Sequence, residues 1–258
     1  MKIVSTGDFD VKISFESGDE VGQLAKSFNN MIKHVKSLIN EIYVSEIKQK
    51  QMELQMLQDH INPHFIYNTL ESIHMMSEIN HDIETSKMAR AFGKLMRYSM
   101  SNIDNIVTVK QELDNLKDYI YLQSVRFEDI YKIAINVDIV MLDNLMIKML
   151  LQPLVENAIY HGLSSKEEDG KIEIQGYIQE DKIIFEVIDN GNGIEENELN
   201  QINSIINDLE YTSKCVALRN VNKRIKLKYG NEYGLQIKSE LNSGTRAIIV
   251  LPNEKPNT

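Results

Sequence analysis

Cysteine is nearly absent from this 258-residue chain: only Cys215 occurs, which excludes an intrachain disulfide framework and any multi-cysteine metal site. Such sparing use fits a reducing cytoplasm. Basic charge is scarce too, with 28 Lys and Arg against 38 Asp and Glu and a formal net charge of −10. Holding a nucleic-acid backbone by counterion release needs a basic footprint that this balance does not supply, so a polyanion can be held only locally. Long apolar runs are also missing. Nothing approaches about 18 uninterrupted apolar residues, and Met1 to Asp8 have no apolar stretch of signal-peptide length, so the chain reads as soluble. What is present is globular in character: 42% hydrophobic and 26% charged residues, enough to bury a core in one large domain or two modest ones.

The first long pattern is a helical seam. Alternating steps of three and four from Val21 reach Leu24, Phe28, Met31, Val35, Leu38, Ile42, Ser45, Gln49, Met52 and Met56. Only Ser45 and Gln49 interrupt the stripe, either setting register or making the segment easy to repack. A heptad pattern held for about five repeats predicts a coiled-coil or bundle helix about 50 Å long, which asks for a partner helix. Residues Asp82 to Met100 carry a second helical pattern, and Thr108-Val109-Lys110-Gln111 has the form of a capping box opening a helix through Leu113, Leu116, Ile120 and Phe127. The N-terminal half is therefore expected to be all α.

After about residue 130 the period changes. Ile133, Ile135, Val137 and Ile139 alternate as in a half-buried strand, a helix is expected from about Leu145 to His161, and strands near 171–178, 182–189, 234–240 and 245–251, with Ser243-Gly244 as the last turn. The fold class is thus helices followed by an α/β sandwich, with helices over one face of a mixed sheet.

Three segments of the second half can carry chemistry. Glu156, Asn157 and His161 stand beside the apolar face of Leu150, Leu151, Leu154, Val155 and Ile159, where they are either ordinary surface or a polar site. The strand 183–188 ends in Asp189-Asn190-Gly191-Asn192-Gly193, which in isolation reads first as a common turn and second as a carboxylate able to accept from an exocyclic amine, beside glycines that allow close backbone approach. Gly244-Thr245 precedes the last strand. In the first half, Pro63 interrupts the helix, and His64 and Asn68 lie one turn apart on a shared face. A neutral imidazole can attack a phosphoryl group in line, with the Asn68 amide orienting it or a water. His60, one turn earlier, is a competing acceptor.

Glu156-Asn157-Ala158, Asp189 to Gly193 and Gly244-Thr245 resemble the N box and glycine boxes of the GHKL ATPases, whose α/β sandwich binds ATP and Mg²⁺. The resemblance implies that Asn157 ligates Mg²⁺, Asp189 holds the adenine, Glu156 and His161 flank the phosphates, Gly191 and Gly193 shape the pocket, and Gly244 and Thr245 close it. Leu218 and Asn220 are implied to join the nucleotide site. Where the superfamily's histidine kinases carry a Gly-x-Gly-Leu segment after the lid, this chain has Cys215-Val216-Ala217-Leu218. Cys215 gives up a glycine's freedom to adopt left-handed angles, so the lid from about Glu195 to Lys214 is expected to close differently or to hold nucleotide more weakly. Cys215 itself reads as a small buried hydrophobe.

Asn62-Pro63-His64-Phe65-Ile66-Tyr67-Asn68-Thr69-Leu70 resembles the signature of the LytS- and YesM-type sensor histidine kinases, and the resemblance continues through Leu95 to Ser99, Tyr119 to Gln123, Arg126-Phe127 and Leu151 to Asn157. It implies His64 as phosphoacceptor, Asn68 and Glu156 as its catalytic companions, a homodimer, and a response-regulator receiver domain as partner. Gly18 to Met31 resembles the second half of a HAMP linker. The expected domains are a partial HAMP linker at 1–36, coiled coil and acceptor helices at 37–129, and a GHKL ATPase domain at 130–258. The chain is then the cytoplasmic part of a membrane-anchored sensor, its membrane region lying outside this chain. A GHKL ATPase or serine/threonine kinase that does not use His64, and a catalytically weak dimeric scaffold, are the competing readings.

Overall fold

The computed structural model describes residues 20–59, 63–100, 106–127, 131–163, 166, 169–207 and 215–256. The chain falls into two compact units, residues 1–62 and 63–258. In the first, helix α1 (Glu20–Asp59) carries the expected seam. Val21, Leu24, Met31, Leu38 and Met52 are exposed on it, and Phe28 and Val35 are half-buried. An apolar stripe left in solvent is what a coiled-coil seam looks like on one strand. The start of the expected HAMP segment, residues 1–19, and the competing acceptor His60 lie outside the described residues.

The second unit opens with a helical hairpin, α2 (Pro63–Ile79) and α3 (Ile83–Met100). Pro63 is the first residue of α2, where its missing N–H removes no helical bond. Asp82 caps α3 by accepting from the Thr85 backbone N–H at 3.1 Å and the Thr85 hydroxyl at 2.7 Å. Across the hairpin the Tyr67 hydroxyl donates to the Met96 carbonyl at 3.2 Å, and the Arg97 guanidinium lies 5.5 Å from the Tyr67 ring centre.

Helix α4 (Val109–Arg126) starts in the expected capping box: Thr108 Oγ1 accepts from the Gln111 N–H at 3.2 Å and Gln111 Oε1 accepts from the Thr108 N–H at 2.9 Å. Just before it, strand β1 (Ile106–Thr108) pairs antiparallel with β3 (Leu145–Ile147), which corrects the expectation of an all-α first half. Three residues are too few for an alternation to show. The same pairing corrects the helix expected from Leu145. The chain leaves β3 through a turn in which Met149 takes φ 57°, and helix α5 begins only at Gln152 (Gln152–Asn157), continuing as a π-turn over Ala158–Gly162. Met146, Ile147, Leu150 and Leu151 are all buried on both sides of Lys148, so this mostly apolar run carries no period that separates strand from helix.

Five strands form the main sheet: β2 (Tyr131–Val137), β4 (Gly170–Gln179), β5 (Lys182–Asp189), β6 (Gly234–Glu240) and β7 (Gly244–Pro252), in the order β2-β4-β5-β7-β6. Only β2 and β4 run parallel, so the sheet is mixed as expected. Ile139, expected to end β2, instead sits exposed in a 3-10 turn, because pairing with β4 ends at Val137 opposite Gly176. The β6–β7 turn is Leu241–Ser243, and Gly244 opens β7. One face of the sheet, with Ile172, Ile174, Ile183, Phe185, Ile249 and Leu251, is buried with side chains of α4, α5, α6 (Glu196–Asn207) and α7 (Val216–Tyr229). Within the expected lid, residues 196–207 are α6, and 208–214 lie outside the described residues.

Candidate active site

Asp189 ends β5 at the core and is only 6% exposed. Its Oδ1 accepts two backbone bonds, from Gly191 N–H at 2.9 Å and from Thr245 N–H at 3.2 Å, leaving Oδ2 outside both. Burial pushes the carboxyl pKa up, opposed by those two bonds and by the field of Lys166. An acid held this way presents one acceptor oxygen in fixed orientation, which suits recognition of an amine hydrogen.

The cradle is backbone packed on backbone. A Cβ on Gly244, which takes φ 91°, would stand 2.0 Å from the Asp189 carbonyl oxygen, and one on Gly193, at φ 65°, would stand 1.9 Å from the Glu240 carbonyl oxygen. A Cβ on Gly191 would meet the Gly162 carbonyl oxygen at 2.0 Å. No side chain fits any of these places. Hydrogen bonds close the same junction: Asn192 N–H to Gly162 O at 3.2 Å, Asn242 N–H to Asn192 O at 2.6 Å, and Ile194 N–H to Ser239 Oγ at 2.9 Å, with the Thr245 and Ser239 hydroxyls 2.9 Å apart.

The three sequence segments therefore meet: the π-turn ending at Gly162, the Asp189–Gly193 loop and the Gly244-Thr245 strand start. Asn157 and His161 belong to the first. Asn157 Nδ2 donates to the Pro153 carbonyl at 2.6 Å, which turns its Oδ1 away from the helix backbone, and His161 and Glu156 are exposed. A single outward amide oxygen fits Mg²⁺, which takes few protein ligands and fills its shell with phosphate and water. Among the described residues no three His, Cys, Asp or Glu side chains are grouped to hold a metal by themselves.

Other expected site residues stand apart from the cradle's hydrogen bonds. Leu218 is half-buried against the core on α7, and Asn220 is exposed there. His64 and Asn68 are exposed on the first turns of α2, with Asn68 Nδ2 3.3 Å from His64 Nδ1. Cys215 is half-buried, not buried as expected, and its φ of 53° and ψ of 34° are left-handed. The turn that a glycine would make is thus made by a cysteine at a backbone cost. Gly162 was missed as a site residue. Its signal was adjacency to His161 at the end of the polar segment, but only the fold brings its carbonyl under Gly191.

Three family models match the chain: the HAMP domain over residues 1–37, histidine kinase over 52–131, and the histidine kinase-, DNA gyrase B- and HSP90-like ATPase over 142–255. The chain is 36% identical over 234 residues to sensor histidine kinase YesM of Bacillus subtilis, covering 91% of this chain and 39% of that protein. It is 28% identical over 251 residues to sensor protein LytS of Bacillus cereus (95% and 42%), and 24% identical over 242 residues to sensor protein kinase HptS of Staphylococcus aureus (94% and 46%). The chain thus spans less than half the length of these relatives. Among solved structures it is similar to the catalytic domain of histidine kinase ThkA, at 19% identity and a TM-score of 0.45, over 58% of this chain and 97% of that one.

Proposed function

We infer that this chain, which belongs to the YesM- and LytS-type histidine kinases and is the core of a two-component sensor kinase, takes ATP at Asp189 and phosphorylates its own His64. The observation that carries this reading is the Asp189 cradle: a buried acid with one oxygen tied to two backbone N–H groups and walled by glycines. Asp189 Oδ2 accepts from the adenine amine, and the polyphosphate end lies toward Asn157. Asn157 would hold Mg²⁺, which would supply charge neutralisation on the phosphates. The net charge of −10 gives ATP no general attraction, so binding rests on these local groups.

His64 is exposed, as an acceptor must be. Attack through Nε2 requires the proton on Nδ1, and Asn68 holds that tautomer when its amide turns its oxygen toward Nδ1; the nitrogen-first contact suits the other tautomer. The Nε2–P bond forms as the bond from phosphorus to ADP breaks, and the phosphoryl group then passes to an aspartate of a response-regulator receiver domain. The chain acts as a homodimer. Support comes from apolar side chains left in solvent on the hairpin, among them Phe65, Met76, Ile79 and Ile83 at 64–75% exposure. No helix among the described residues is long and apolar enough to cross a membrane; with a HAMP match at its start, the chain reads as the cytoplasmic part of a membrane-anchored sensor.

Labelled Mg-ATP is expected to leave acid-labile, base-stable phosphate on the wild-type protein and none on His64→Gln. Base-labile phosphate on both would favour a kinase acting on hydroxyls, and calorimetry with no measurable Mg-ATP binding would leave a dimeric scaffold.

A further inference from the structure

Between the acceptor hairpin and the nucleotide segment lies a buried polar junction. Glu112 of α4 is 1% exposed, and its carboxylate is saturated. Oε1 accepts from the Leu150 and Leu151 N–H groups at 2.8 and 3.0 Å, and Oε2 accepts from the Met149 N–H at 2.7 Å and the Tyr98 hydroxyl at 2.5 Å. Those three N–H groups belong to the turn that launches α5, the helix bearing Glu156 and Asn157. From the other side, the Arg224 guanidinium of α7 donates to the Lys148 carbonyl at 2.6 Å and the Met149 carbonyl at 3.2 Å. The turn so clamped is strained, because Met149 is left-handed at φ 57°. A non-glycine residue stays there only when its surroundings over-determine it.

Tyr98 reaches this junction from the last turn of α3, the hairpin helix that packs on α2, the helix bearing His64. Burial and the neighbouring Glu112 push its pKa up, so the hydroxyl remains a donor. We propose that Tyr98 and Glu112 are positioning residues: Glu112 sets the angle at which α5 presents Asn157 and Glu156 to nucleotide, and Tyr98 ties that setting to the hairpin that carries His64. Tyr98→Phe leaves the three backbone bonds to Glu112 intact and removes the hydroxyl's part of the tie, while Lys148 Nζ still donates to the Tyr98 carbonyl at 3.3 Å. Glu112→Gln keeps one acceptor oxygen for Leu150 and Leu151 and turns an amide N–H₂ toward Met149 N–H, releasing the turn.

The inference rests on the kinase reading above, and the assays separate the two. With folding checked by thermal unfolding, Glu112→Gln is expected to raise the KM for ATP about tenfold, since a small misplacement of a binding element carries penalties of that order. Met149→Gly added to Glu112→Gln removes the strain and is expected to recover most of that loss. Tyr98→Phe is expected to keep the Kd for Mg-ATP within about twofold while lowering the saturated rate of His64 phosphorylation about fivefold. Wild-type-like rates in Tyr98→Phe, or a Glu112→Gln protein that loses only melting temperature with KM unchanged, would overturn the proposal. A wild-type protein that labels no histidine would instead overturn the function itself.

Discussion

The helical hairpin α2–α3 and the α/β sandwich are built from similar residues and treat them in opposite ways. In the sandwich, Ile172, Ile174, Ile183, Phe185, Ile249 and Leu251 are 0–1% exposed, while in the hairpin Phe65, Met75, Met76 and Ile79 are 58–75% exposed. A strand buries its apolar side by pairing and a covering helix layer, all within one chain. Two antiparallel helices bury only the stripe between them and leave another outside. The sandwich therefore closes its own core, while the hairpin leaves an apolar stripe in solvent, the surface on which the proposed dimer rests.

The contrast breaks most sharply at the glycines. Gly244→Ala drives a Cβ into the Asp189 carbonyl in a left-handed residue, and is expected to cost on the order of 3 kcal/mol or more in stability and to abolish Mg-ATP binding, read by denaturant unfolding and calorimetry. Asp189→Asn tests whether the closed half holds its ligand by one oxygen. The amide oxygen can keep both backbone bonds, while the outward atom changes from acceptor to donor, so ATP affinity is expected to fall about a hundredfold, or about 2.8 kcal/mol. Stability should move the other way. Because Asp189 has a raised pKa in the folded protein, its contribution is greatest when protonated and is lost as pH rises through that pKa. Asp189→Asn should therefore be no less stable than wild type at pH 7, with the difference shrinking on acidification; marked destabilisation at pH 7 would contradict the cradle described here.

The open half is tested by charge. Met76→Lys with Ile79→Lys is expected to weaken dimerisation by about 2 kcal/mol or more in sedimentation, without lowering Mg-ATP affinity, since neither residue is near the cradle's bonds. The smallest effect is expected at Cys215→Gly. Glycine removes the left-handed penalty but adds chain entropy to the unfolded state, for a net gain of up to about 1 kcal/mol in thermal unfolding.

Much of this was legible in one dimension because it is local chemistry. The Thr108 capping box, the strands at 171–178 and 182–189 and the Asp189–Gly193 loop each announce themselves within a few residues, where period and turn chemistry operate. The misreadings share a cause. At 145–151 Met146, Ile147, Leu150 and Leu151 are buried and Leu145 and Met149 half-buried, so no period distinguishes strand, turn and helix, and Ile139 continued an alternation that its partner strand did not.

By itself, the sequence determined the succession of a helical half and a mixed α/β sandwich, and it pointed to the residues proposed to carry chemistry in each. Only the tertiary structure decided how those residues are held: Gly162 beneath Gly191, Cys215 in a glycine's conformation, and Glu112 satisfied by backbone 37 to 39 residues further along. The reason is that a buried polar group must find partners wherever the fold brings them, and a sequence records the group but not the distance across which it is satisfied.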